Sequence, residues 1–206
     1  MELRGEDADT EMAADRRDTI RLARPLVLVG MMGAGKTSVG RRLARLLQAP
    51  FRDSDHEIEA AAGMSVADLF ARFGEPAFRD GERRVVERLL SGEPAVVATG
   101  GGAFIEPATR NVIRRRSTSV WLRADLDTLW DRVRGRPGRP LLDRPDPRAT
   151  LAEIDTRRRP VYAEADVVVD SHPGRSHEAM ARSVMAAVLA HDRGRDPAAA
   201  TLRPAS

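Results

Sequence analysis

The stretch Leu26-Val27-Leu28-Val29-Gly30-Met31-Met32-Gly33-Ala34-Gly35-Lys36-Thr37-Ser38 decides how the rest of the chain is read. Leu26 to Val29 is an apolar run that stops at Gly30, which predicts a buried strand over 25–29. After Thr37 the apolar residues Val39, Leu43, Leu46 and Leu47 recur at helical spacing, so the order is strand, glycine loop, helix. Gly30-x4-Gly35-Lys36-Thr37 fits the phosphate-binding loop, or P-loop. Its glycines let backbone N–H groups approach phosphate oxygens, and the new helix points its positive end at the same anion. Lys36 is expected to reach the β- and γ-phosphates of a nucleotide, and the Thr37 hydroxyl to hold Mg²⁺.

Lys36 is the only lysine in the chain; every other one of the 34 basic residues is arginine. A compact ammonium on a flexible stem suits a phosphate, so its single use at this position supports a nucleotide site. It also excludes an Asn-Lys-x-Asp guanine-reading motif elsewhere, which argues against a switch GTPase.

At 206 residues the chain suits one domain with a real core. It is 42% hydrophobic and 32% charged, and no apolar run approaches the roughly 18 residues of a membrane span. There is no cysteine, hence no disulfide framework or thiolate chemistry. The formal charge is +3, but acids and bases alternate, and five Phe, two Trp and one Tyr leave little for base stacking. We expect no nucleic-acid or membrane partner. Met1 to Arg24 has no apolar core and carries several acids, which predicts a cytoplasmic protein.

Outward from the loop, residues 1–23 lack apolar periodicity and are expected to be a disordered extension. Phe51-Arg52-Asp53 predicts a second strand, and an extended backbone would point Asp53 and Asp55 to one side, at the crevice outside the strand ends. One carboxylate would orient metal-bound water and the other accept a proton from, or fix, an acceptor hydroxyl. A helical insert follows over 54–91, broken at Gly74-Glu75-Pro76. Ala95 to Thr99 predicts a strand running into Gly100-Gly101-Gly102, where the missing side chains permit close approach. Further strands are expected at Val120-Trp121-Leu122 and Asp166 to Asp170, with helices near 106–115, near 125–133, around Ile154 to Tyr162, and from Glu178 to about Leu189. Residues 134–147, rich in Arg, Pro and Gly, suit a flap over a phosphoryl group, and 192–206 reads as a polar tail. The four histidines show no metal-ligand spacing.

Taken together, the Gly30 to Gly40 loop, Phe51-Arg-Asp-Ser-Asp55, Phe78-Arg79, Gly100-Gly-Gly102, Arg139-Pro-Leu-Leu142 and Arg158-Arg-Pro-Val-Tyr162 resemble the shikimate kinase family in order and spacing, over about residues 25–190. The resemblance implies an α/β fold: a three-layer α/β/α sandwich with a five-stranded parallel sheet, the P-loop kinase architecture, with domain limits at 24–191. It implies transfer of the ATP γ-phosphoryl group to the 3-hydroxyl of shikimate by a monomer using ATP and Mg²⁺.

By position, the family pattern puts ATP phosphates on Gly33, Ala34, Gly35, Lys36, Thr37 and Ser38, with Mg²⁺ on Thr37 and, through water, on Asp53. Asp55 matches the carboxylate that holds shikimate hydroxyls and is the candidate base. Arg79 and Arg158 match the two arginines on the shikimate carboxylate, and Glu82 is placed to orient Arg79. Gly101 and Gly102, with Gly100 beside them, match the backbone on which the substrate rests. Arg139 matches a lid arginine that reaches the phosphates, and Arg132 one beside adenine. A kinase of gluconate or of a nucleoside monophosphate is the competing enzyme reading, because paired arginines hold phosphate as well as carboxylate.

Overall fold

The computed structural model describes residues 20–135 and 140–204. The expected lid arginine, Arg139, and most of the expected N-terminal extension lie outside the described residues.

Strands form at the five places the sequence predicts and at two more near the termini. β1 is Ile20–Leu22, β2 Leu26–Val29, β3 Phe51–Asp53, β4 Val96–Ala98, β5 Thr118–Arg123, β6 Val167–Asp170 and β7 Leu202–Pro204. Five of these form a parallel sheet in the order β3-β4-β2-β5-β6. A parallel sheet is covered on both faces, and β2 is accordingly buried at all four positions. The helices that cover it are α1 (Lys36–Leu46), α2 (Ser54–Ala62), α3 (Val66–Ser91), α4 (Pro107–Arg116), α5 (Leu126–Val133), α6 (Pro147–Tyr162) and α7 (His177–Asp192). Val39, Leu43 and Leu47 from the α1 region, Val184 and Val188 from α7, and Val86 and Leu90 from α3 join the strands in one apolar cluster. Full burial of each such side chain stabilises the fold by about 1.5–3 kcal/mol before entropy is counted.

The register fixes where a ligand can sit. Asp53 pairs with Ala98, and Ala98 with Leu28, so β2, β3 and β4 end at one level. From β2 the chain runs to β3 and β4 on one side and to β5 and β6 on the other, which opens a crevice at the carboxyl ends.

Two local expectations change, and one holds. The helix after β3 begins at Ser54, so the backbone is not extended through Asp55. Asp53 is the residue that ends the strand and caps α2, its carboxylate accepting from Asp55 N at 3.2 Å. Asp55 and Glu57 in the first turn also favour a helix start here. Helix α3 does break at Gly74, which has φ 76 and ψ 169, and Pro76 then stands in the first turn of the second half, where its missing N–H costs nothing.

The second change is at the termini, expected to be loose through residue 23 and from 192 onward. β1 and β7 pair antiparallel, Leu22 opposite Leu202. Asp192 Oδ2 accepts the backbone N–H groups of Thr201 and Leu202, both at 3.0 Å, and the buried Thr201 hydroxyl meets that of Thr118 at 2.6 Å. Three-residue strands with a single inward leucine each are too short for periodicity to reveal.

Candidate active site

The phosphate loop is shaped by glycines in backbone conformations that other residues rarely adopt. Gly33 and Gly35 have φ of +81 and +95, and a Cβ on Gly33 would lie 2.8 Å from Val133 Cγ1 of α5. Gly35 caps α1 without a side-chain hydrogen bond, so the positive end of that helix is left for an anion. Lys36 Nζ donates to the carbonyls of Gly30 and Met31 at 2.8 and 3.0 Å, folded back across its own loop. Thr37 Oγ1 donates to Asp53 Oδ2 at 2.8 Å. Asp53 therefore caps α2 with one oxygen and meets the loop with the other.

The triple glycine is needed for space, not for unusual backbone angles, since none of the three has positive φ. A Cβ on Gly100 would lie 2.5 Å from Asp55 Oδ1 and one on Gly102 would lie 2.5 Å from Arg79 Nη2. On Gly101 it would lie 3.5 Å from Arg158 Nη1. Gly100 and Gly102 thus each make room for one charged side chain of the expected set, while at Gly101 the contact is an ordinary one. The buried Ser54 hydroxyl accepts from Gly100 N at 3.1 Å and fixes this turn to the start of α2.

The charged residues come from separate elements. Arg79 on α3 donates from Nη1 to Glu82 Oε2 at 2.7 Å, and Glu82 is only 1% exposed. Burial pushes the Glu82 carboxyl above its usual range, and the Arg79 charge pulls the other way. Arg158 on α6 donates from Nη1 to the Gly101 carbonyl at 3.1 Å. Tyr162, one helical turn on, donates its hydroxyl to the same carbonyl, and burial pushes its phenol up to about 12, so it stays a donor. Asp55 also titrates above the ordinary carboxylate range, first through burial and then through the charge of Asp53, with Lys36 opposing.

Two adjoining cavities open onto this set. One, of about 640 Å³, is lined by Gly33 and Gly35 to Ser38 of the phosphate loop, Asp53, Asp55 and Arg132. The other, of about 470 Å³, is lined by Arg79, Glu82, Gly102 and Arg158, with Phe70, Phe78 and Leu141 on its apolar side. Asp55, Gly100 and Gly101 belong to both walls, so a group bound in one cavity meets the other at Asp55.

Every predicted site residue among those described is brought to this crevice except Ala34, which is buried under the loop as part of its packing. Arg132 reaches it from behind, donating to the Gly33 carbonyl at 3.2 Å and the Ser171 hydroxyl at 2.9 Å. Sequence reasoning left the far wall unassigned: Gly174, Arg175 and His177, just before and at the start of α7, line the larger cavity. It also passed over Glu75 and Tyr162, although each stands four residues from an arginine of the set, the spacing that puts helical neighbours on one face.

The model of the shikimate kinase family matches residues 32–189. A shikimate kinase of Paramagnetospirillum magneticum is 58% identical over 151 residues, 73% of this chain and 77% of that protein. The chain belongs to the shikimate kinase family. The corresponding protein of Cereibacter sphaeroides is 55% identical over 159 residues, 77% of this chain and 80% of that one. Among solved structures, the Acinetobacter baumannii shikimate kinase in complex with shikimate superposes with a TM-score of 0.79 at 35% identity, covering 82% of this chain and 95% of that one. This chain is accordingly an ATP-dependent kinase that phosphorylates the 3-hydroxyl of shikimate, giving shikimate 3-phosphate and ADP, and membership removes the gluconate and nucleoside-monophosphate alternatives.

The fit of Gly102 against Arg79 leads to a first prediction. Gly102→Ala forces the Arg79 guanidinium, a flexible side-chain end, to move rather than the backbone. Shikimate KM is expected to rise about tenfold or more, the worth of a displaced charge-assisted hydrogen bond, while ATP KM and thermal stability stay near wild type. Steady-state kinetics and a melting curve check this; a large fall in Tm with no KM effect would contradict it.

Proposed function

We propose that phosphoryl transfer takes place at the seam between the two cavities, with ATP in the larger and shikimate in the smaller. The observation that carries this reading is that Asp55 lines both walls. The triphosphate lies along Gly33 to Ser38, with Lys36 swinging from its loop carbonyls to the β- and γ-phosphates, and Arg132 with Arg175 flanks the nucleoside side. The shikimate carboxylate lies between Arg79 and Arg158, and the ring rests on the Gly101–Gly102 backbone. Two guanidiniums grip a carboxylate with directed hydrogen bonds, which a small polyhydroxylated acid requires for orientation.

In the step itself the 3-hydroxyl oxygen forms a bond to the γ-phosphorus as the bond to the β,γ-bridging oxygen breaks. The hydroxyl proton passes to Asp55, whose raised affinity for protons suits an acceptor. ADP leaves. Positioning and charge neutralisation supply most of the acceleration, with Lys36 at the phosphates.

Thr37 Oγ1 and Asp53 Oδ2, two hard oxygens 2.8 Å apart beside the phosphate loop, fit a Mg²⁺ site completed by phosphate oxygens and water. When bound, the ion spreads the negative charge that develops on the transferring group. Thr37 would contact it directly and Asp53 through water.

The protein is read further as a cytoplasmic monomer that acts on small molecules alone, with no nucleic-acid or membrane partner. No described helix is long and apolar enough to cross a membrane. Some arginines outside the crevice are paired with acids, as Arg123 is with Asp170 and Arg114 with Glu164.

A coupled ADP-release assay with ATP and Mg²⁺ tests the acceptor. Shikimate should support turnover, and gluconate and nucleoside monophosphates should stay at the background ATPase rate. Equal rates with any of these would refute the carboxylate clamp.

A further inference from the structure

Arg79 is held by two carboxylates, not one. Glu82 Oε2 takes Nη1 from the buried side. On the other edge, Glu75 Oε1 accepts from both Nε, at 3.3 Å, and Nη2, at 3.1 Å. Glu75 follows the break at Gly74, which sets the direction of its turn, and its side chain is 67% exposed. It also forms part of the wall of the smaller cavity.

That wall carries three carboxyl groups, Asp55, Glu75 and Glu82, against two guanidiniums, Arg79 and Arg158. Asp55 lies at the seam and Glu82 is buried in its pair, so both are fixed in place. Glu75 is different: an exposed carboxylate can swing into water at little cost, because such pairs are worth little. A guanidinium has two edges able to take a carboxylate, and the Nε–Nη2 edge is the one Glu75 covers.

We propose that Glu75 is a placeholder for the acid substrate: it holds Arg79 in register in the empty site and competes with the incoming carboxylate for the same donors. This rests on the assignment of Arg79 to the substrate carboxylate. Glu75 touches no reacting atom and acts only through Arg79. In the empty site it completes the charge around a half-buried arginine. On binding, its displacement is a cost that lowers affinity for anionic acceptors.

The sign of the effect separates this from ordinary prepositioning. For Glu75→Gln, which keeps length and polarity but removes the charge, shikimate KM should fall about two- to fivefold, the range an exposed ion pair commands. The gain should shrink as ionic strength rises past physiological. Binding of the neutral methyl ester of shikimate, followed by calorimetric titration, should gain no comparable affinity from the substitution. A raised or unchanged shikimate KM in Glu75→Gln, or an equal gain for acid and ester, would overturn the proposal. Arg79→Ala is measured alongside: if it leaves shikimate KM unmoved, the clamp itself fails, which is a separate result from a wrong sign in Glu75→Gln.

Discussion

Asp55→Asn should lose roughly 10²–10⁴-fold in kcat, the range for removing a positioned proton acceptor, while ATP binding measured by titration is retained. Asparagine keeps the volume beside Gly100 but cannot take the hydroxyl proton. Stability should move the other way. Burial, then the Asp53 charge, raises the Asp55 carboxyl in the folded protein. A group raised in this manner favours folding only while protonated, an advantage present at low pH and lost as pH rises through the folded-state value. Above that folded-state value the ionised Asp55 is therefore a burden on the fold, and there the amide should raise Tm. The same shift sets the acid limb of kcat/KM: activity falls as pH drops through a value above the usual carboxylate range, and the limb disappears from residual Asp55→Asn activity. Full turnover in the variant would remove Asp55 from the chemistry.

Arg158→Ala should raise shikimate KM on the order of ten- to a hundredfold, with ATP KM changed little. The guanidinium supplies a charge-assisted contact to the substrate carboxylate and, through Nη1, a hydrogen bond to the Gly101 carbonyl. Tyr162 still donates to that carbonyl after the substitution, so the glycine turn keeps a support and the loss should be confined to substrate binding. Initial rates over a grid of both substrate concentrations separate the two constants. Equal effects on both would mean that Arg158 serves the nucleotide or the fold.

The sequence carried the centre of the sheet because β2 and β4 lie in short apolar runs with a proline before and a glycine after, a pattern that follows from burial on both faces. The phosphate loop was legible for a similar reason: Gly33 and Gly35 answer a steric demand that few other residues meet. For the triple glycine the demand was legible but its object was not. Only the fold shows that Gly100 and Gly102 make way for Asp55 and Arg79. The paired aspartates were singled out for a reason that did not hold. They converge because Asp53 caps the helix that carries Asp55, not because a strand runs through both. Glu75, Tyr162 and the wall at Gly174 to His177 depend on contacts between residues far apart in the chain or on a helix break. One sequence without its fold does not display these.

The central claim is that nucleotide and acid occupy separate cavities that meet at Asp55. A crystal structure with a non-hydrolysable ATP analogue, Mg²⁺ and shikimate tests it most directly. The account predicts the shikimate carboxylate between Arg79 and Arg158, a ring hydroxyl on Asp55, and the γ-phosphate beside Lys36 in line with that hydroxyl. Shikimate seated away from Arg158, or a hydroxyl out of reach of Asp55, would contradict it.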